Sequence, residues 1–185
     1  MVSITVGGKE YPLALTVQAF SDISDLCPGK DFDRINEINQ LPTGELAKVS
    51  IKILAALSNG AEEQRAFGDP AYEKQPLNTK ELLNMPVNEY LSLCQGGILA
   101  IIAKAMGGET VEVEPAKKKG KSRKIRFNRA WFLFYGRMLN MSKQEILCTS
   151  YAEMCDMISC FSIFNGAEPK KIKEPCSMDG LLKLR

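Results

Sequence analysis

Apolar residues at Val87, Leu91, Cys94, Ile98, Ile101 and Ala105 repeat at intervals of four, three, four, three and four. That spacing puts them on one stripe of an α-helix, and such a stripe has to be buried against something. Leu46, Val49, Ile53 and Leu57 repeat at three, four and four and predict a second buried helix. A chain built on such stripes must be mainly a helical assembly. Gly96-Gly97 interrupts the longer stripe, which predicts a bend or a close backbone approach there.

The amino-terminal end reads differently. Ile4 to Val6, then Gly7-Gly8, then Tyr11 to Leu15 predict a β-hairpin, because two glycines can supply the positive φ angles of a tight turn. Pro12 has no N–H to donate and puts its strand at an edge. Thr16 is suited to cap a helix whose buried face is Val17, Phe20, Ile23 and Cys27, ended by Cys27-Pro28-Gly29. Phe32, Ile35 and Ile38 predict a short helix. The Leu46–Leu57 helix is expected to stop at Asn59-Gly60, leaving a long connection to Asn78. Asn78-Thr79-Lys80-Glu81 forms a capped start, and a further helix is expected from Pro86 to Gly107-Gly108.

Charge divides the chain. Residues 1–115 hold nine Lys/Arg and sixteen Asp/Glu, whereas residues 116–185 hold fifteen and six. An acidic front and a basic back predict two modules. Between them, Lys117, Lys118, Lys119, Lys121, Arg123, Lys124, Arg126 and Arg129 follow one another with no acid and no apolar period. This is the pattern of a solvated linker. Docking to an acidic protein patch, or contact with nucleic-acid phosphates, are the other readings of eight cations in a row. No stacking aromatic is interleaved before Phe127, which disfavours nucleic acid.

Beyond the linker, Trp131-Phe132-Leu133-Phe134-Tyr135, Met138 and Leu139 surround a helix with large apolar groups. Such a helix must be covered on more than one side, by the first module or by a partner. Trp131, Phe134, Tyr135 and Met138 are the candidate partner-binding residues, since aromatic side chains anchor interfaces. Ser142 with Glu145, and Ser150 with Glu153, are capping-box patterns that predict a short helix, a corner and a longer helix through Phe164. Asn165-Gly166 should stop it, ahead of a loose tail. Glu81-Leu82-Leu83 with Glu89 echoes Glu145-Ile146-Leu147 with Glu153 at a constant offset; a repeat, or capping chemistry alone, would produce it.

The expected organisation is α+β and predominantly α-helical: residues 1–110 a hairpin plus helical domain, 111–129 a flexible basic linker, 130–166 a small helical module, and 167–185 a tail.

Chemistry is hard to place on this chain. Histidine is absent, which removes the commonest general base and metal ligand. Gly7-Gly8, Gly96-Gly97 and Gly107-Gly108 lack the spacing of a phosphate loop. The six cysteines form no C-x-x-C pair and read as reduced thiols, mostly small core hydrophobes, without the spacing of a zinc site. The expectation is a protein that is not an enzyme, with no catalytic residue, metal or cofactor. No stretch approaches the ~18 consecutive apolar residues of a membrane span. Residues 1–15 lack the basic start and apolar run of a secretory signal, so a cytoplasmic location is expected.

Three stretches carry a likeness: Ile4-Thr5-Val6-Gly7-Gly8-Lys9-Glu10-Tyr11-Pro12-Leu13; Glu81-Leu82-Leu83-Asn84-Met85-Pro86; and Trp131 to Asn140 with Met141-Ser142-Lys143-Gln144-Glu145-Ile146 and the closing Ile163-Phe164-Asn165-Gly166. In them the chain resembles the tail assembly chaperones of long-tailed bacteriophages and prophages, in the long form with a carboxy-terminal extension. The resemblance implies a cytoplasmic protein of the bacterial host that is absent from the finished particle. It implies that residues 1–110 bind the tape measure protein and residues 130–165 the tail tube protein, with self-association possible. It also implies a short form made by programmed frameshifting, for which the lysine run Lys117-Lys118-Lys119 is a suitable place. The rival readings are a small nucleic-acid-binding or regulatory protein acting through residues 117–129, and a structural tail component.

Overall fold

The structure, a computed structural model, describes residues 2–86, 88, 90, 97–106 and 128–167. It is α+β and predominantly α-helical, with an amino-terminal hairpin. Strands β1 (Val2–Val6) and β2 (Lys9–Leu13) pair antiparallel, with Ile4 opposite Tyr11. Gly7 (φ 57°) and Gly8 (φ 78°) make the turn that only paired positive φ angles allow. Ile4, Val6, Tyr11 and Leu13 are buried, and the hairpin packs its apolar face on the long helix α2 (Thr43–Gly68).

Helix α1 (Val17–Leu26) begins as its sequence predicts: Ala19 N donates to Thr16 Oγ1 at 3.2 Å, and Val17, Phe20, Ile23 and Cys27 are buried. Phe32–Gln40 is a 3-10 helix rather than an α-helix. The reason is legible in the spacing: Phe32, Ile35 and Ile38 recur strictly every three residues, the period of the tighter helix.

Helix α2 (Thr43–Gly68) corrects an expectation. It does not stop at Asn59-Gly60 but runs through to Gly68. Gly60 is helical, and a Cβ there would lie 2.8 Å from Ala14 O and 2.9 Å from Thr16 Oγ1. The glycine marks a crossing, not a terminus. The connection to Asn78 is correspondingly shorter, and it is pinned by Glu62. That buried carboxylate accepts hydrogen bonds from Tyr72 Oη (3.0 and 3.1 Å) and from Gln75 N (2.5 Å).

Asn78 caps α3 (Thr79–Asn84), its Oδ1 accepting from Lys80 N at 3.0 Å. Helix α4 (Gly97–Met106) buries Ile98, Ile101, Ile102 and Ala105, the second half of the long stripe. Its first half, Val87, Leu91 and Cys94, lies outside the described residues, as do linker residues 111–127. Asn128 caps α5 (Arg129–Met138), so Arg129 belongs to the helix and not to the linker expected over 111–129. Ser142 and Glu145 form the complete capping box of α6 (Lys143–Cys148). Ser150 Oγ accepts from Glu153 N at the start of α7 (Tyr151–Phe164).

Residues 130–166 dock on the amino-terminal helices in cis. Phe132, Ile146, Met154 and Ile158 belong to the same buried cluster as Phe20, Leu54 and Ile101. Phe20 meets Phe132 edge-on at 5.3 Å and stacks on Tyr151 at 4.9 Å. Main-chain bonds complete the joint: Val17 N donates to Thr149 O at 3.0 Å and Tyr151 N to Leu15 O at 2.7 Å.

Two glycines are therefore the sensitive points of packing. At Gly136 a Cβ would fall 2.3 Å from the fully buried side chain of Ile146. Gly60→Ala and Gly136→Ala should each destabilise the fold by about 1–3 kcal/mol through overpacking. At Gly44 and Gly68 a Cβ meets nothing within 4 Å, and alanine there should be neutral or stabilising by up to about 1 kcal/mol. Urea unfolding of the four variants separates the two classes.

Candidate protein-docking surface

Helix α5 shows two faces. Phe132 and Gly136, four residues apart, point into the core. Phe134 and Met138, also four apart, point out and are each 56% exposed. Trp131 stacks on Tyr135 at 5.7 Å, and Phe134 stands edge-on to both, at 6.3 and 5.4 Å. The four candidate residues Trp131, Phe134, Tyr135 and Met138 thus share one helix, and their three rings form a single aromatic cluster.

The cluster continues onto α7. Tyr135 meets Phe161 edge-on at 6.4 Å. Helix α7 buries Ala152, Met154 and Ile158, and Met157, Phe161 and Phe164 lie along the adjoining edge of that face, where they border an open groove. Phe164 is 88% exposed. These side chains form one wall of an open groove of about 1100 Å³, which Val2 and Leu13 of the hairpin, Ala105 and Met106 of α4, and Leu139 also line. Glu153 and Asp156 lie on its α7 side, and Lys104 and Gln64 face it from α4 and α2. Met157, Phe161 and Phe164 escaped the sequence reading as site residues. Their signal was the four-three spacing, a second apolar stripe on a helix that already had one.

The basic segment is not brought into this surface. Lys117, Lys118, Lys119, Lys121, Arg123, Lys124 and Arg126 lie outside the described residues. Arg129 borders a separate hollow of about 420 Å³ with Ser24, Asp25 and Lys30. Burial pushes the Asp22 carboxyl up, and a hydrogen bond from Gln18 Nε2 (2.7 Å) and the charge of Arg129 pull it back.

Burial favours the neutral form of three thiols and one phenol near the core. Burial, reinforced by Asp31, pushes the Cys27 thiol up to about 11, and its Sγ donates to Ile23 O. Burial raises Cys148 and Cys155 as well, and carries the Tyr151 phenol far above its ordinary value. Among the described residues no three or more Cys, Asp or Glu side chains gather as metal ligands would. No described helix is long and apolar enough to cross a membrane. What the arrangement offers is apolar contact area with a partly charged rim, suited to holding another chain.

Comparison of the chain with protein-family models, with curated proteins and with solved structures gave no match.

Thiolate reactivity follows from these environments. Alkylation at pH 8, mapped by peptide mass spectrometry, should label exposed Cys160 at least about tenfold faster than Cys27. Denaturation should erase the difference. Equal rates in the folded protein would contradict the burial of α1's inner face.

Proposed function

We propose that the chain is a tail assembly chaperone of a long-tailed bacteriophage or prophage, one that keeps the tape measure protein in solution and recruits tail tube subunits. The observation that carries this reading is the aromatic cluster of Trp131, Phe134 and Tyr135, which runs on through Phe161 into the groove. A tape measure protein exposes long apolar helix before the tube encloses it. A holdase for such a client needs apolar area that its own fold does not consume. It must also let go, so broad contacts of modest strength serve better than a few tight ones. The likeness of the three sequence stretches to that family supports the same reading.

Docking of residues 130–166 in cis dictates the form of the test. Cutting the chain in the basic segment would strip Phe132, Ile146 and Met154 from the core, so the full chain has to be kept. Phe134→Asp with Met138→Asp alters two outward side chains and leaves the buried face of α5 intact. Nuclease-treated pull-downs from producing cells should recover a very long helical protein and an abundant tube subunit with the native chain. The double variant should lose most of the tube subunit while its thermal midpoint stays unchanged. Recovery of neither partner, with retained material depending on nucleic acid, would overturn the proposal in favour of the basic segment. Presence of the chain in purified particles would make it a structural tail component instead.

A further inference from the structure

The groove begins beside Phe164, and the described chain leaves it at Ala167. Residues 168–185 follow, with five Lys/Arg and three Asp/Glu. Within them Met178, Leu181 and Leu182 stand at i, i+3 and i+4, with Leu184, Lys183 and Arg185 beside them. Such an apolar triplet next to cations is the complement of the groove, whose apolar floor includes Met106, Met157 and Phe161 and whose α7 side carries Glu153 and Asp156.

We propose that residues 178–185 of the same chain occupy this groove, with Met178, Leu181 and Leu182 on its floor and Lys183 and Arg185 toward Glu153 and Asp156. Lys104, across the groove, is the matching cation for Asp179. Reach permits it. Met178 lies eleven steps along the chain from Ala167, and an extended chain of that length spans roughly 36 Å. The fourteen residues of α7 rise only ~21 Å, so the segment can double back along the whole helix. A segment tethered this closely has an effective concentration on the order of mM. A contact too weak to hold a second copy of the chain would still be filled from within. The occupant is then a built-in competitor: any partner that uses the groove must displace it, whatever that partner is. The aromatic cluster on α5 stays uncovered.

The test uses the full chain with p-benzoylphenylalanine at Leu182, irradiated at low micromolar concentration. Expected are crosslinks at monomer mass to the α7 peptide holding Met157 and Phe161, several-fold above those from the same probe at Ile172. Glu153→Lys with Asp156→Lys should cut that yield several-fold at an unchanged melting temperature. A variant without the probe, Leu181→Asp with Leu182→Asp, should speed alkylation of Cys160, which lines the groove, several-fold. Crosslinks at dimer mass would make a second copy the occupant and overturn the proposal. So would crosslinks scattered away from α7, or a Cys160 rate indifferent to the tail variant.

Discussion

Everything in this fold hangs on a short buried stretch, Ala14 to Thr16, that joins the hairpin to Val17, the first residue of α1. A buried peptide group without a partner costs about 1–3 kcal/mol, and this stretch spreads its bonds over three parts of the molecule. Ala14 N donates to Leu57 O of α2 at 3.1 Å, and Leu15 N to Ala105 O of α4 at 3.0 Å. Leu15 O and Val17 N bind the corner between α6 and α7, where Thr16 and Ser150 form an isolated bridge. The bond from Ala14 to Leu57 needs α2 close against this stretch, and Gly60 is what permits that approach. The junction thereby joins the charge-divided halves of the chain into one core.

That joint decides which surfaces remain. Because Ala152, Met154 and Ile158 of α7 and Phe132 of α5 are committed inward, Phe134, Met138 and Phe164 face outward, while Tyr135 and Met157 lie between, partly buried against the core. Trp131, Phe134, Tyr135 and Met138 are therefore a consequence of how residues 130–166 dock, and so is the apolar wall of the groove. A helix apolar on every side satisfies one side with its own fold and leaves the other to be covered. The proposed chaperone role rests on that remainder.

Local features were legible because local chemistry produces them. The paired glycines of the hairpin, the caps at Thr16, Asn78, Ser142 and Ser150, and the buried face of α1 each depend on residues within one or two turns. Gly60 was misread because a glycine inside a helical pattern looks like a stop, and its actual reason lies more than forty positions away at Ala14. The junction itself left no trace, since main-chain bonds have no side-chain signature. Of the docking surface, the α5 residues were legible from their density of rings. The α7 residues were visible as a helix but not as a surface, because two stripes on one helix cancel its amphipathic pattern.

Native-state hydrogen exchange on the full chain addresses the joint directly. If the junction unites the molecule, the amides of Val17 and Tyr151 exchange only through global opening, with the same free energy as those at Leu54 and Leu57 in the centre of α2. Exchange of Tyr151 and the inner turns of α7 at a markedly lower free energy than α2 would mean that residues 130–166 open as a separate unit, and that the outward aromatic face is not fixed by the core.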